Sequence, residues 1–199
     1  MRRNALLAAT MLVALVALGL GNAGCGSEDA APEAERSTGA EEMTGAATDM
    51  DETGTSVGQY PPDFALADLD ENIVTLADFE DKVVIIDLWA TWCPPCREEI
   101  PFLVDLYEEH RDAGLVVVGI GLDQGGATAL RPFVEENSVS YPILVGDRAV
   151  SRAYGASSIP TTYIIGRDGR IVARHVGFHP TLAGEIRSTV EQLLDGVEA

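Results

Sequence analysis

The chain of 199 residues has few cysteines, few basic residues and only three histidines. Three cysteines are too few for the disulfide framework of a small secreted domain. Lysine and arginine together number 13 against 32 acidic residues, which gives a net charge of −19. Nucleic acid and anionic lipid are both bound by basic faces, so this balance argues against either partner. The histidines show no ligand spacing, which argues against a metal site.

The residues that are present suffice for one folded domain with tails. Hydrophobic residues make up 46% of the chain and charged residues 23%, which excludes disorder throughout. The length fits one domain of about 100–200 residues. Changes in composition divide the chain into an export signal (1–25), an acidic disordered linker (26–59) and a folded domain (60–199).

The first residues have the pattern of an export signal. Two arginines precede an apolar run of 16 residues, Ala5–Leu20, which is shorter than the span of about 20 residues that crosses a membrane. The small residues before Cys25 resemble the lipobox of bacterial lipoproteins, in which Cys25 would carry the lipid, although Asn22 stands where an aliphatic residue is usual. Cleavage after Ala23 and an uncleaved anchor remain open. All three interpretations place the domain outside the cytoplasm.

Residues 26–59 consist mainly of Ala, Gly, Ser, Thr and acidic residues, with a net charge of −8. Such a segment buries too little apolar surface to offset the entropy lost on ordering. Repulsion between its like charges should extend it. We therefore expect a solvated linker that tethers the domain.

From residue 60 onward, apolar β-branched runs alternate with amphipathic stretches. The expected strands are 64–69 and 73–76 (a hairpin), 82–90, 115–122, 141–145, 161–165 and 171–176, and the expected helices are 93–111, 128–137, 150–154 and 181–194. A β-α-β half followed by a β-β-α half predicts an α/β fold, with a mixed sheet and helices on both faces.

The most informative motif is a pair of cysteines at the start of the first long helix. At a helix N-terminus the unpaired N–H groups and the macrodipole lower the pKa of the Cys93 thiol from about 8.5 toward roughly 3.5–7.5. The thiolate is the nucleophile in disulfide exchange. Cys96 follows one turn later on the same face, close enough to attack a mixed disulfide at Cys93. Pro94 and Pro95 are tolerated in a first helical turn.

Two other interpretations of the pair have less support. Two cysteines at this spacing are half of a zinc site, but the chain offers no second pair. A purely structural disulfide would close so small a loop that it constrains the unfolded chain very little. Redox exchange is therefore the favoured chemistry.

The segment 87–96, DLWATWCPPC, resembles the active site of thioredoxins. Pro101 matches the thioredoxin proline in this helix, residues 159–162 (IPTT) resemble the cis-proline loop, and Gly177 resembles the glycine that closes the last strand. Over about residues 57–194 the chain is most similar to the membrane-attached TlpA/ResA group. This resemblance implies a thioredoxin-like mixed sheet flanked by helices, with an extra N-terminal β-hairpin.

The resemblance also implies a role for each residue near the cysteines. Cys93 would attack the substrate and Cys96 would resolve the mixed disulfide. Pro160, in the cis form, would lie against the disulfide and hold the backbone of Ile159 open for an extended substrate strand. A plain turn proline is the alternative. Trp92 would shield the first cysteine and contact the substrate.

Two carboxyl groups are candidate proton carriers. Asp87 lies within an apolar strand, where burial raises the pKa of a carboxyl and suits it to exchange a proton with the second cysteine. The alternative is a structural group bonded to the backbone. Glu99 matches a glutamate that ResA-type proteins place near the site, and the alternative is a solvated carboxylate in the first helical turn. Trp89 is expected in the core, and Thr162 in a strand without a role in the chemistry.

The function implied is that of a thiol–disulfide oxidoreductase in the bacterial cell envelope, without a cofactor. It would reduce disulfides of extracytoplasmic proteins, such as apocytochrome c or metal-delivery proteins, with electrons from a membrane partner. One alternative is a peroxiredoxin-like peroxidase, for which the expected Thr-x-x-Cys spacing is missing at Cys93. The other is a tethered module that binds peptides without redox turnover.

Overall fold

Two sheets form the framework of the computed structural model, which describes residues 52–196. In chain order the elements are β1 (Ala65–Ala67), β2 (Ile73–Thr75), β3 (Val83–Trp89), α1 (Pro94–His110), β4 (Leu115–Gly121), α2 (Ala127–Glu136), β5 (Ile143–Val145), α3 (Arg148–Ala153), β6 (Thr161–Ile165), β7 (Ile171–Val176) and α4 (Pro180–Leu194). Short 3₁₀ turns occupy Leu76–Phe79 and Arg111–Ala113.

The larger sheet has five strands in the order β5-β4-β3-β6-β7. β3 pairs parallel with β4 and antiparallel with β6, while β5 is parallel to β4 and β7 antiparallel to β6. β1 and β2 form the separate antiparallel hairpin. The predicted thioredoxin-like mixed sheet, flanked by helices and preceded by an extra hairpin, is confirmed.

The central strand β3 is buried along its whole length because both faces of the sheet are covered. Val83, Ile85 and Trp89 point to one face, where they pack with residues of α1, α2 and α4. Ile86 and Leu88 point to the other face, which is covered by the hairpin and α3. A continuous β-branched run suits such a strand because neither side meets water.

The observed elements are shorter than expected at several ends. The hairpin strands keep three residues each, and β5 begins at residue 143 rather than 141. α3 begins earlier than expected, at Arg148, because the Asp147 carboxylate accepts hydrogen bonds from the backbone N–H groups of Ala149 and Val150. An aspartate in this N-cap position satisfies donors that the first turn leaves unpaired.

The end of the predicted linker is bound to the domain. The N–H of Gly58 donates to the carbonyl of Ile171 at 2.8 Å, and the N–H of Ile171 donates to the carbonyl of Gln59 at 2.9 Å. Residues 52–59 therefore join the start of β7, so the linker prediction was wrong for these residues: backbone pairing orders a segment that has little apolar surface. The export signal, Cys25 and residues 26–51 lie outside the described part of the chain. Between residues 52 and 196 no helix is long and apolar enough to cross a bilayer.

Candidate active site

The end of β3 delivers Cys93 to the start of α1. Cys93 is the N-cap residue, in an extended backbone conformation, and Pro94 opens the helix. The N–H of Cys96 points at the Cys93 sulfur, with nitrogen and sulfur 3.3 Å apart. An N–H group of a first helical turn that points at sulfur stabilises the thiolate form once the pair is reduced.

Cys93 and Cys96 are joined by a disulfide, with their Cα atoms 5.3 Å apart. Only 3% of Cys93 is exposed, and Cys96 is fully buried. Of the two residues, only the first cysteine therefore keeps some contact with solvent, as attack on an external disulfide requires. Trp92, directly before it, is 67% exposed and offers an aromatic surface beside the pair.

The loop before β6 lies against the same sulfur. The peptide bond between Ile159 and Pro160 is cis, and the carbonyl oxygen of Ile159 is 3.6 Å from the Cys93 Sγ. On the far side of the loop, the N–H of Gly177 donates to the carbonyl of Pro160 at 2.8 Å. The loop that the sequence placed near the cysteines is therefore in contact with them.

Two fully buried carboxyl groups lie on the side of the sheet that α1 covers. Asp87 of β3 stands opposite Thr162 of β6, and the Thr162 hydroxyl donates to the Glu99 Oε1 at 2.8 Å. Burial raises the pKa of Asp87 well above its usual range, and the nearby Glu99 charge raises it further. Burial also raises the pKa of Glu99 to about 7, against the lowering effect of the Thr162 hydroxyl.

These placements exclude one alternative interpretation for each carboxyl. Glu99 is buried, so the interpretation as a solvated first-turn carboxylate is wrong. Neither oxygen of Asp87 has a hydrogen-bond partner among residues 52–196, so a structural bond to the backbone is wrong as well. Thr162 does lie in a strand, but its hydroxyl also positions Glu99, a contact that the sequence alone did not reveal.

A further contact that the sequence did not reveal fixes the loop between β3 and α1. Asp123, just after β4, accepts a hydrogen bond from the Thr91 N–H at 3.0 Å and another from the Thr91 hydroxyl at 2.5 Å. Asp123 is only 8% exposed. Its carboxylate therefore holds the backbone just before the cysteines in one position. A polar residue directly after a buried strand was the only sequence signal for it.

Comparison with known families shows which family the chain belongs to. Residues 57–174 match the AhpC/TSA family over more than half of the chain. The chain belongs to this family. It is 35% identical over 127 residues to the thioredoxin-like protein YneN of Bacillus subtilis, a match that covers 63% of this chain and 75% of YneN. It is 28% identical over 129 residues to the thiol-disulfide oxidoreductase ResA of Bacillus thuringiensis, covering 64% and 73% of the two chains.

A solved structure shows the same fold. A crystal structure from Chlorobium tepidum, which carries the name thiol:disulfide interchange protein DsbE, matches with a TM-score of 0.67 and 28% identity. The match covers 71% of this chain and 99% of that one. Family, fold and the disulfide-bonded cysteine pair together make this member of the AhpC/TSA family a thioredoxin-like thiol–disulfide oxidoreductase.

Proposed function

We propose that the protein reduces disulfides of extracytoplasmic proteins. The observation that carries this proposal is the position of Cys93, which caps α1, is the more exposed of the two cysteine residues, and forms a disulfide with Cys96. In the proposed direction this disulfide is the product of one turnover, and the reduced pair is the form that attacks the substrate.

The reaction balances as two successive exchanges. The Cys93 thiolate attacks a substrate disulfide, which forms a mixed disulfide and releases one substrate thiolate. The Cys96 thiol then loses its proton and attacks the Cys93 sulfur, which releases the second substrate thiolate and closes the Cys93–Cys96 disulfide. Two electrons pass from the enzyme to the substrate. An external dithiol donor returns them by the same exchange in reverse, and no cofactor is needed.

The surface around Cys93 supports a protein substrate rather than a small one. We infer that Trp92 packs against the substrate, because its ring is 67% exposed beside a nearly buried sulfur. The backbone of Ile159 lies against the same sulfur, and Pro160 fixes the direction of that backbone. An extended segment of the substrate can pair with it as an added strand.

We assign to Asp87 and Glu99 the proton that Cys96 gives up. Both carboxyls are fully buried, and Glu99 lies one helical turn after Cys96. The Glu99 charge raises the pKa of Asp87, so ionisation of one carboxyl opposes ionisation of the other. The pair therefore takes up and releases a proton as a unit, and its apparent pKa values belong to the pair. Glu99, with a pKa of about 7, is suited to exchange a proton near neutral pH.

The location and the partners also remain proposals. The export signal supports a site of action in the cell envelope, and Cys25 would attach the chain to a membrane through lipid. Apocytochrome c and metal-delivery proteins are the proposed substrates because their cysteines must be reduced before they bind haem or metal. The electron donor would be a membrane protein that carries reducing power outward.

Reduction of insulin in the presence of dithiothreitol tests the proposed chemistry. The full chain should accelerate the turbidity that follows release of the insulin B chain, and Cys93→Ser should abolish the acceleration. Cys96→Ser is the matched variant, because it should still form a mixed disulfide at Cys93 but not release the product. A Cys93→Ser variant as active as the wild type would refute the proposal. The substrate trapped by Cys96→Ser identifies the partner.

The same variants distinguish disulfide reduction from the two alternative functions, a peptide-binding module and a peroxidase. A peptide-binding module would not accelerate insulin reduction at all. A peroxidase would consume hydrogen peroxide faster than it reduces insulin. The structure disfavours peroxidase chemistry, because the hydroxyl of Thr91, the nearest threonine before Cys93 in sequence, donates to Asp123.

A further inference from the structure

Seven buried side-chain polar atoms have no hydrogen-bond partner within residues 52–196. Two are the Nε2 atoms of His110 and His175, and the other five belong to the acid pair and to two rings beside it. They are both carboxylate oxygens of Asp87, the Glu99 Oε2, the Trp89 Nε1 and the Tyr141 hydroxyl. Three of these atoms accept hydrogen bonds and two are donors. Buried polar groups in folded proteins are nearly always paired. Buried donors and acceptors that lack partners and lie on neighbouring segments therefore indicate a shared water that joins them.

The lack of a side chain at Gly119 lets the Trp89 and Tyr141 rings lie close to Asp87. Gly119 stands beside Asp87 in the β3–β4 register. A Cβ atom on Gly119 would lie 2.9 Å from the Trp89 Nε1 and 3.2 Å from the Tyr141 Cε2. Both rings thus occupy the space above Gly119, one strand away from Asp87. The Cε2 atom is bonded to the carbon that carries the Tyr141 hydroxyl, so the hydroxyl end of the ring lies close to Gly119.

Burial and a ring contact with α1 fix the position of Tyr141. Only 4% of the residue is exposed, and its ring stands edge-on to that of Tyr107 of α1, with centroids 6.3 Å apart. Burial raises the pKa of the Tyr141 hydroxyl well above its usual range, and the charges of Asp87 and Glu99 raise it further. The hydroxyl therefore keeps its proton and is available to donate it in a hydrogen bond.

The other titratable groups around the acid pair come from three elements. They are Cys93, Cys96 and Tyr107 from α1, His175 of β7, which stands opposite Thr162, and Glu185 of α4, whose charge acts on His175. Neither Asp87 nor Glu99 forms an ion pair within residues 52–196. Without a cation in direct contact, hydrogen-bond donors are the means left for stabilising a carboxylate there.

We propose that the Tyr141 hydroxyl donates a hydrogen bond to the Asp87 carboxylate through one water shared with the Trp89 indole, and so stabilises the charged form of the acid pair that takes the proton from Cys96. Tyr141 is a positioning residue, since it acts through the carboxyl and touches neither sulfur nor substrate. The inference rests on the proposed function of the acid pair as the base for Cys96.

Tyr141→Phe tests this inference because it removes the hydroxyl and keeps the ring. Loss of a donor to a carboxylate disfavours the charged form, so the pH midpoint of the resolution step should rise by about one unit. The rate is measured by single-turnover reduction of a fluorescent peptide disulfide by the full-length chain, between pH 5 and 9. Attack by Cys93, the first step, should keep its pH profile.

Tyr154→Phe is the matched control. Tyr154 is a fully buried tyrosine on the opposite face of the sheet, and its hydroxyl donates to the carbonyl of Pro62 at 2.6 Å. This variant should lose some stability but leave the pH profile of the resolution step unchanged. A second measurement does not require turnover: ¹³C NMR of the Asp87 carboxyl in the oxidised protein should titrate at higher pH in Tyr141→Phe than in the wild type.

The outcomes separate this inference from the proposed function. A resolution step with the same pH profile in Asp87→Asn and the wild type would refute the role of Asp87 as a base. A profile that changes in Asp87→Asn but not in Tyr141→Phe, together with an unmoved carboxyl titration, would overturn the role of Tyr141 alone. Upward shifts in both measurements, absent from Tyr154→Phe, support it.

Discussion

Replacing Glu99 by glutamine should make the oxidised protein more stable at neutral and alkaline pH. Burial raises the pKa of Glu99 from 4.5 to about 7. A change of one in the pKa corresponds to about 1.4 kcal/mol, so holding this carboxyl in its charged form lowers the free energy of unfolding by about 3 kcal/mol. A glutamine carries no charge, and its side-chain oxygen can still accept the hydrogen bond from Thr162.

The pH dependence of this gain has a definite direction. Below pH 4.5 the carboxyl is protonated in both the folded and the unfolded state, so its ionisation contributes nothing. Between pH 4.5 and 7 the unfolded state releases the proton first, and the wild type loses stability relative to Glu99→Gln as the pH rises. Above pH 7 the difference is constant.

Urea unfolding of the oxidised protein, followed by tryptophan fluorescence from pH 4 to 8.5, measures this difference. Glu98→Gln is the matched control, because it removes the same charge from an exposed neighbour in the same helical turn. It should change the free energy of unfolding by a few tenths of a kcal/mol, as is usual for surface positions. A difference between wild type and Glu99→Gln that stays constant across the pH range would refute the reasoning.

Two further substitutions probe the region around the cysteines. Asp87→Asn should slow the resolution of the mixed disulfide more than its formation, because only resolution by Cys96 gives a proton to the acid pair. Stopped-flow traces that show equal slowing of both steps would contradict this role. Thr91→Val should lower the free energy of unfolding by about 1–3 kcal/mol, because it leaves the nearly buried Asp123 with one donor instead of two. Thermal unfolding checks it, with the exposed Thr128→Val as control. An unchanged transition in Thr91→Val would show that the hydroxyl contact contributes nothing.

The cysteine pair and the fold could be predicted because their signals are local. A β-branched run that ends one turn before a Cys-Pro-Pro-Cys segment defines both the buried strand and the helix that follows it. The cis-proline loop carries its own short motif. In each case the residues that determine the structure are close together in sequence.

The acid pair and its neighbours could not be derived in full, because they depend on distant elements. Glu98 and Glu99 look alike in sequence, and only the docking of α1 on the sheet decides which one is buried. The contact between Tyr141 and the space over Gly119 depends on the register of β5 against β4. The hydrogen bond from Thr91 to Asp123 joins residues 32 positions apart.

The place where residues 52–59 join the domain determines how a pulling force acts on the active site. Residues 52–59 are hydrogen-bonded to the start of β7, whereas the disulfide lies beyond the other end of β3, a strand of seven residues that spans about 20 Å. Tension applied through the preceding chain is therefore carried by the backbone bonds at Ile171, not by the loop that holds Cys93. Force applied at residue 52 therefore reaches the hydrogen bonds at Ile171 before it reaches the reactive sulfur.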